Sequence, residues 1–322
     1  MVSLAIKAAF QQSIALADAF RGRTAPNPPV GAAILDEGGG LIATGAHEFA
    51  GAPHAEVVAW RRCVALGRTA DAHTLVVTLE PCNHHGRTPP CSELIAGTGI
   101  KRVWVGVRDP NPAVCGHGIE FLRSRGLQVS SLCELNDPDA KDLLFQCRYL
   151  LAPFKKHSRG DGPWVTVKRA LNEMGSMIPQ RGTKTFTSPA SLTFAHGLRR
   201  RSNGILTGVG TILADWPEFT VRRVPDHPGV ERVLFICHRT RPVPPDYIAR
   251  AERSGFRVIT VVNVHEPLVM ADDLGVQEIL VEAGPKLLSS VMAADVWDEQ
   301  ITIQCQSGLE DTISVEFRSP LN

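Results

Sequence analysis

The segment TLEPCNHHGRTPPC, residues 78–91, places two cysteines directly after an apolar run. Eight residues separate Cys82 from Cys91, and the earlier tripeptide HAE supplies His54 and Glu56. One imidazole and two thiolates are nitrogen and sulfur ligands that zinc prefers, and three protein ligands leave a fourth position open, as in catalytic zinc sites. The residue types therefore predict a catalytic zinc site formed by His54, Cys82 and Cys91.

Glu56 is placed to move protons rather than to bind the metal. Zinc lowers the pKa of a bound water to about 7, which makes hydroxide available near neutrality. Glu56 lies two residues after His54, where it can take the proton of that water and return it to a leaving amine. His-x-Glu followed by Pro-Cys-x-x-Cys is the signature of zinc nucleobase deaminases, and here the second spacing is Cys-x8-Cys. The alternative is a buried histidine, a solvated glutamate and two ordinary cysteines, which the order of all four residues argues against.

The elements that must position these residues alternate between helix and strand. A helix over residues 2–20 leads into the loop TAPNPPVG, and HAE stands at the start of a second predicted helix. Strands are predicted at VGAAILD, LIATGAH, TLVVTLE and KRVWVGV, with a short helix from Cys91 and a helix–strand pair in GHGIEFLRSRGLQVS. Strands separated by helices predict a three-layer α/β/α domain. Residues 137–150 are predicted to form its closing helix.

The length of 322 residues predicts two domains. The first is expected over residues 1–150, and the polar, Gly- and Pro-containing segment LAPFKKHSRGDGP, residues 151–163, is expected to be a linker. A second α/β pattern covers residues 164–322. Its predicted strands are WVTVKRAL, GILTGV, ERVLFIC, FRVITVV, VQEILVE and EQITIQ.

The composition excludes several classes of function. The chain is 43% hydrophobic and 21% charged with a net charge of +1, which does not indicate a nucleic-acid partner. No apolar window of about 18 residues is present, and the N-terminal apolar stretch lacks a preceding basic region. We therefore expect no membrane span and a cytoplasmic location. The eight cysteines are spread along the chain, so a disulfide framework is not expected.

Four segments of the first half carry a family resemblance. PNPPVG, HAEVVAW, VTLEPCNHHGRTPPC and DPNPAVCGHGI resemble the deaminase half of the bifunctional riboflavin biosynthesis protein RibD family, over nearly all of residues 5–150. The long insertion between the cysteines is a feature of that family. The resemblance implies a cytidine-deaminase-like fold, the zinc ligands named above and Glu56 as the proton carrier. It also implies a substrate pocket that includes Asn27, His47, His85, Arg87, Asp109 and Asn111.

For some of these predicted pocket residues, a structural role is an alternative to substrate binding. Arg87 carries a planar fork of donors that suits a substrate phosphate. Asn27, Asp109 and Asn111 fit turn stabilisation equally well, because Asn and Asp are standard turn residues.

The second half resembles the reductase half of the same family, which uses NADPH to reduce the ribose of the deaminated product. The matching segments are VTVKRAL, TFTSPAS, LRRRSNGILTGVGTILAD, FTVR and VEAGPKL. The resemblance implies a dihydrofolate-reductase-like α/β fold. Two glycines follow a predicted strand, where backbone N–H groups can approach a phosphate, although a tight strand-to-helix turn explains them as well. The candidate cofactor- or substrate-binding residues are Lys168, Ser188, Arg199, Thr207, Gly208, Gly210, Asp215 and Glu282.

Several departures set this half apart from the family. The family usually has Ser-Leu-Asp-Gly where this chain has residues 172–175, and the second acid of an Ala-Asp-Asp-Pro motif is Trp216. The usual arginine pair after Thr-Ser-Pro is absent, with Leu192 and Thr193 near those positions. The chain also stops soon after DEQITIQ. These losses predict a shortened, divergent domain that is kept for structure or assembly or acts on a changed substrate, so use of NADPH stays open.

The function expected from these observations is zinc-dependent deamination of 2,5-diamino-6-(5-phosphoribosylamino)pyrimidin-4(3H)-one, with release of ammonia. The first alternative is a deaminase-only paralogue serving a toxoflavin-like branch from riboflavin precursors. A nucleic-acid deaminase is a weaker alternative, because it needs a basic, aromatic-lined channel and the chain has only two tyrosines. The weakest is a scaffold without chemistry. The family resemblance implies a homo-oligomer, a dimer or tetramer, built through the second domain; if EQITIQ is an edge strand, pairing across subunits would cover it.

Overall fold

The computed structural model describes residues 1–84, 89–110, 115–179, 185–306 and 310–321. The chain divides into two compact units, Met1–Arg159 with Leu321, and Gly160–Pro320. No helix in these described ranges is both long and apolar enough to cross a bilayer. His85, Arg87 and Asn111, three of the predicted pocket residues, lie outside the described residues.

The first unit is built on a sheet whose described strands are β1 Gly31–Leu35, β2 Leu41–Ala46, β3 Thr74–Leu79, β4 Arg102–Val107 and β5 Gln128–Ser131. Their order is β2-β1-β3-β4-β5. β1 runs antiparallel to β2 and β3, whereas β3, β4 and β5 are parallel to one another. The carboxyl ends of β3 and β4 therefore meet at one edge of the sheet, where the TLEPC and DPNP segments begin.

Helices cover both faces of this sheet. Successive residues of β1 alternate between two core clusters: Ala32 and Ile34 belong to one, and Ala33 and Leu35 belong to the other. This is the alternation expected of a strand buried on both faces. The three-layer α/β/α prediction is confirmed. The helices are α1 Leu4–Asp18 and α5 Pro138–Ser158 on one face, with α2 Ala55–Ala65, α3 Cys91–Ala96 and α4 His117–Ser124 on the other.

Gly45 allows α2 to lie directly against β2. A Cβ atom at this position would lie 2.3 Å from the carbonyl oxygen of Ala55 and 2.4 Å from the backbone nitrogen of Ala59. Only a residue without a side chain permits this approach. The first turn of α2, which follows His54, is thereby fixed against the sheet.

The second unit contains a larger, mostly parallel sheet. Its described strands are β6 Trp164–Leu171, β7 Gly204–Gly208, β8 Arg232–Cys237, β9 Phe256–Val261, β10 Glu278–Val281, β11 Glu299–Gln304 and β12 Thr312–Phe317. The order is β12-β11-β6-β10-β7-β8-β9, and β12 is antiparallel to β11 while the other pairs are parallel. The helices are α6 Pro189–Arg201, α7 Val209–Asp215, α8 Pro245–Arg253, α9 Glu266–Met270 and α10 Pro285–Ala293.

Two expectations about segment boundaries are corrected by the structure. Helix α5 continues through Pro153 to Ser158, so residues 151–158 are not a linker. Leu151, Ala152 and Pro153 are buried, and this burial offsets the hydrogen bond that a proline removes inside a helix. The EQITIQ segment is not an edge strand either, because β11 lies between β6 and β12.

Candidate active site with a metal-binding group

His54, Cys82 and Cys91 come from three separate elements and meet at one point. His54 is the N-cap residue of α2, Cys82 follows β3, and Cys91 is the first residue of α3. Their ligand atoms all lie within 4.8 Å of one another. The Nδ1 atom of His54 is 3.2 Å from the sulfur of Cys91 and 3.6 Å from that of Cys82. The residues predicted from spacing alone are therefore adjacent in space.

The protonation of the two thiols indicates that this group suits a cation. A hydrogen bond from Cys91 lowers the pKa of Cys82 to about 4, and the hydrogen bond to Cys82 together with burial raises the pKa of Cys91. The two sulfurs therefore share a proton. The backbone N–H of Cys91 also donates to the Cys82 sulfur at 3.3 Å. A divalent cation would replace the shared proton, and an imidazole with two thiolates is a donor set that zinc prefers.

Glu56 lies beside the metal-binding group but does not belong to it. It sits in the first turn of α2 and is 5% exposed. Burial raises the pKa of Glu56, and the imidazole of His54 opposes that rise. The carboxyl group also shares a hydrogen bond with the Cys91 thiol. A buried carboxyl group that both accepts and releases protons is suited to general acid–base catalysis next to a metal.

His47 and Asn27 form a second pair next to His54. The ring of His47 meets the ring of His54 edge-on, with 5.7 Å between the ring centroids. Its Nδ1 lies 3.2 Å from the carbonyl oxygen of Pro53, which only accepts, so Nδ1 carries the proton. Burial lowers the pKa of His47, and the neutral ring accepts from the Asn27 amide through Nε2 at 3.1 Å. The Asn27 amide is therefore held in one orientation.

Asp109 follows the carboxyl end of β4 and is bonded to Glu80. Glu80 was not among the residues predicted from the sequence. Asp109 is partly buried, and its backbone N–H donates to the Glu80 carboxylate at 3.2 Å. Glu80 is 4% exposed and directly precedes Pro81 and Cys82. An acidic residue directly after a strand whose six residues are all buried is the signal that could have identified it.

In the second unit three of the predicted residues form an ion cluster. Arg199 donates to both carboxylate oxygens of Glu282, at 2.7 and 2.8 Å, and the Lys168 ammonium lies 3.4 Å from the same carboxylate. Burial opposes ionisation of Glu282, but Lys168 and Arg199 outweigh it and hold the pKa of Glu282 at about 2. Arg199 is further held by the carbonyl oxygen of Thr220 at 3.3 Å. The cluster is charged and partly closed to solvent.

The other predicted residues of this unit lie outside the ion cluster. The Thr207 hydroxyl is buried and has no hydrogen-bond partner among the described residues. Gly208 is the N-cap residue of α7, and Gly210 lies within that helix. Ser188 caps α6 by accepting from the backbone of the first turn. Asp215 is exposed at the end of α7 and is not brought into the ion cluster by any contact of the described residues.

Two of the residues that depart from the family pattern, Asn172 and Trp216, have defined local contacts. Trp216 adopts a left-handed backbone with φ of 43°, and its ring meets that of Tyr247 edge-on at 5.5 Å. Asn172 forms a turn, accepting through its side chain from Met174 and Ser176. Both departures are thus accommodated by local packing.

The comparisons with known proteins agree with both units. Residues 5–107 match the cytidine and deoxycytidylate deaminase zinc-binding region, and residues 163–304 match the RibD C-terminal domain. The riboflavin biosynthesis protein RibD of Aquifex aeolicus (strain VF5) is 33% identical over 94% of this chain and 87% of its own length. The chain belongs to the RibD family.

Further relatives extend along both units. RibD of Bacillus amyloliquefaciens is 34% identical over 89% of this chain and 81% of its own length. A crystal structure from Thermotoga maritima has a TM-score of 0.76 and 29% identity, covering 95% of this chain and 88% of that one. It is described as a diaminohydroxyphosphoribosylaminopyrimidine deaminase/5-amino-6-(5-phosphoribosylamino)uracil reductase. The predicted succession of a cytidine-deaminase-like domain and a RibD reductase domain is confirmed.

Proposed function

We propose that this RibD family member deaminates 2,5-diamino-6-(5-phosphoribosylamino)pyrimidin-4(3H)-one to the corresponding 5-aminouracil derivative and releases ammonia. The observation that supports this most is the meeting of one imidazole nitrogen and two thiols within 4.8 Å, beside the buried carboxyl group of Glu56. The description of the Thermotoga maritima relative supports the same substrate. The relatives named above are riboflavin biosynthesis proteins, so the comparisons do not favour a deaminase that serves a toxoflavin-like branch from riboflavin precursors.

In this mechanism His54, Cys82 and Cys91 would hold zinc, which supplies a Lewis acid that activates water. The Glu56 carboxylate accepts a proton from the water that adds to the ring carbon bearing the amine. It then delivers a proton to the amine nitrogen, which leaves as ammonia. The elevated pKa of Glu56 helps because the protonated carboxyl group can persist between these two transfers.

We further propose that Asn27, His47 and Asp109 line the pyrimidine pocket, together with His85, Arg87 and Asn111. Asn27 and His47 are supported by their link to the ring of His54, and Asp109 by its link to the strand end before Cys82. The Asn27 amide and the Asp109 carboxylate offer donors and acceptors that match a diaminopyrimidinone ring, and His47, whose two ring nitrogens are already bonded, would hold the Asn27 amide in place. Arg87 would meet the phosphate, since a guanidinium offers a planar fork of donors.

Glu56→Gln tests the proposal, because the amide keeps the shape of the side chain and cannot carry the proton. We expect deamination, followed by mass spectrometry of the product, to fall by at least about 100-fold, while bound zinc stays equal to that of the wild type. Glu93→Gln is the matched control, since Glu93 is exposed and follows Cys91 by the same two residues. Full activity of the Glu56→Gln protein would refute the mechanism.

A second activity is favoured by the ion cluster of the second unit. We propose that this unit binds NADPH and that Lys168 and Glu282 face the ribose that is reduced. The support is the RibD C-terminal match, the buried charges of the ion cluster and the Thr207 hydroxyl, for which the described residues supply no partner. Ser188, Arg199, Gly208, Gly210 and Asp215 are the remaining candidates. Product that is reduced only when NADPH is added would support this activity, and product that is deaminated but never reduced would contradict it.

We also propose a homo-oligomer formed through the second unit, with a small-molecule substrate and no nucleic-acid partner. β12 ends the described sheet, and Ile313 and Val315 on it are exposed at 41% and 43%. An edge strand of this kind is suited to pairing with a second copy. A monomer at all concentrations in sedimentation, or strongly salt-dependent RNA binding, would contradict these assignments. A cytoplasmic location is proposed because all eight cysteines are free of disulfide bonds, which suits a reducing compartment.

A further inference from the structure

Glu80 accepts four backbone hydrogen bonds from a segment far along the chain. Its Oε2 atom accepts from the N–H groups of Asp109 at 3.2 Å and Gly116 at 2.9 Å. Its Oε1 atom accepts from Gly118 at 3.0 Å and Ile119 at 3.2 Å. A side chain that is 4% exposed can take four donors only when both of its oxygens are acceptors, as in an ionised carboxylate.

These four bonds fix both described ends of the segment that follows β4. Asp109 lies before residues 111–114 and Gly116 lies after them, while Gly118 and Ile119 supply N–H groups of the first turn of α4. These N–H groups have no partner within the helix, and the negative charge is favourable there because of the helix dipole. The Glu80 carboxylate therefore takes the place of a cap for α4, which has no side-chain cap bond at Gly116.

The same contact ties the segment to the metal-binding group. Glu80 precedes Cys82 by two residues, and a Cβ atom on Gly118 would lie 2.0 Å from the carbonyl oxygen of Pro81. The start of α4 is thus in direct contact with the backbone that leads into a metal ligand. A shift of Asp109 or of the start of α4 relative to Cys82 would require breaking the Glu80 bonds.

We propose that Glu80 is a positioning residue for substrate binding: it holds Asp109 and the start of α4 at a fixed distance from the metal-binding group. This inference rests on the proposed deamination. Glu80 touches neither the metal ligands' side chains nor the reacting atoms in this mechanism. It acts through Asp109 and the start of α4, and its loss is therefore expected to weaken substrate binding more than the proton transfers made by Glu56.

Glu80→Gln replaces one oxygen by an N–H₂ group, which then faces two backbone donors whichever way the amide turns. Leaving two of these four N–H groups without an acceptor should raise KM by about tenfold or more, with kcat within about threefold of the wild type and zinc content unchanged. Glu120→Gln is the matched control, because Glu120 is an exposed carboxylate in the same first turn of α4. It should leave KM unchanged.

Hydrogen exchange provides a readout that does not depend on catalysis. In the wild type the amide protons of Asp109, Gly116, Gly118 and Ile119 should exchange slowly, and this measurement stands even if the variant fails to fold. In folded Glu80→Gln protein these amides should exchange at least about tenfold faster, while those of β3 keep their protection. Fast exchange of the four amides in the wild type would overturn the proposal.

The KM and kcat measurements on Glu80→Gln can also refute the proposal. If Glu80→Gln leaves KM unchanged, or if kcat and bound zinc fall together at constant KM, Glu80 does not position Asp109 and the start of α4 for substrate binding. A wild-type protein that lacks deaminase activity would refute the proposed function instead, and the exchange rates would still decide whether Glu80 holds the segment.

Discussion

Replacing Glu282 by glutamine removes the negative charge that Lys168 and Arg199 share. The carboxylate accepts two hydrogen bonds from Arg199 and lies 3.4 Å from the Lys168 ammonium. These cations hold the pKa of Glu282 at about 2, below its ordinary value of 4.5. Glutamine resembles the protonated carboxyl group in shape. The difference in unfolding free energy between wild type and variant therefore measures what ionisation of Glu282 contributes.

The magnitude follows from the two pKa values. A tenfold change in an equilibrium is about 1.4 kcal/mol, so the gap between 4.5 and about 2 corresponds to about 3 kcal/mol at pH 7. Because the folded protein has the lower pKa, this stabilisation is complete above the unfolded value and is lost as pH falls from about 4.5 toward 2. At pH 3 about 1 kcal/mol should remain.

Urea unfolding of the full-length protein at pH 7 and pH 3 measures the difference, with hydrogen exchange of peptides from β6 and β10 reporting on the second unit. Glu218→Gln is the control, since Glu218 forms exposed ion pairs with Arg222 and Arg250. Exposed pairs of this kind contribute less than about 1 kcal/mol. A Glu282→Gln difference below about 1 kcal/mol at pH 7, or one that is equal at both pH values, would refute the reasoning.

Two further changes test the packing of each unit. Gly45→Ala should destabilise the first unit by about 1–3 kcal/mol, because the new Cβ overlaps the backbone of α2; thermal unfolding measures this, and an unchanged melting temperature would contradict it. Arg201→Met should destabilise the second unit by about 3 kcal/mol or more, because Glu278 and Glu299 are both buried and lose the guanidinium that lies 2.9 and 2.7 Å from them. Urea unfolding measures that loss, and a variant as stable as the wild type would show that the two carboxyl groups do not need Arg201.

The metal-binding group could be predicted because its residues are marked by local sequence. His54, Cys82 and Cys91 each stand at the start of a helix or the end of a strand, and zinc chemistry restricts the residue types. Glu80 could not be predicted in this way. Its partners lie 29 to 39 positions later in the chain, and their donors are backbone N–H groups, which leave no mark on the sequence.

The other features that the sequence did not predict were missed for separate reasons. Every residue of β12 except Phe317 is exposed, so the strand has no buried face to give an apolar period of two. The end of α5 was missed because Pro153 is ordinarily a helix breaker, and its burial is a tertiary effect. In the second unit, residue type alone could not separate the cap role of Ser188 from ligand binding, since a serine hydroxyl serves both.

The contact at Gly45 places His54 and Glu56, the proposed metal ligand and proton carrier, on one helix start that lies directly against the sheet. His54 and Glu56 both stand at the start of α2, and that turn is pressed against β2 without an intervening side chain. The backbone that carries both residues is therefore held against the sheet. A relative with a different pyrimidine as substrate would therefore be expected to change the residues between Cys82 and Cys91 and those that follow β4, while His54, Glu56 and the two cysteines keep their positions.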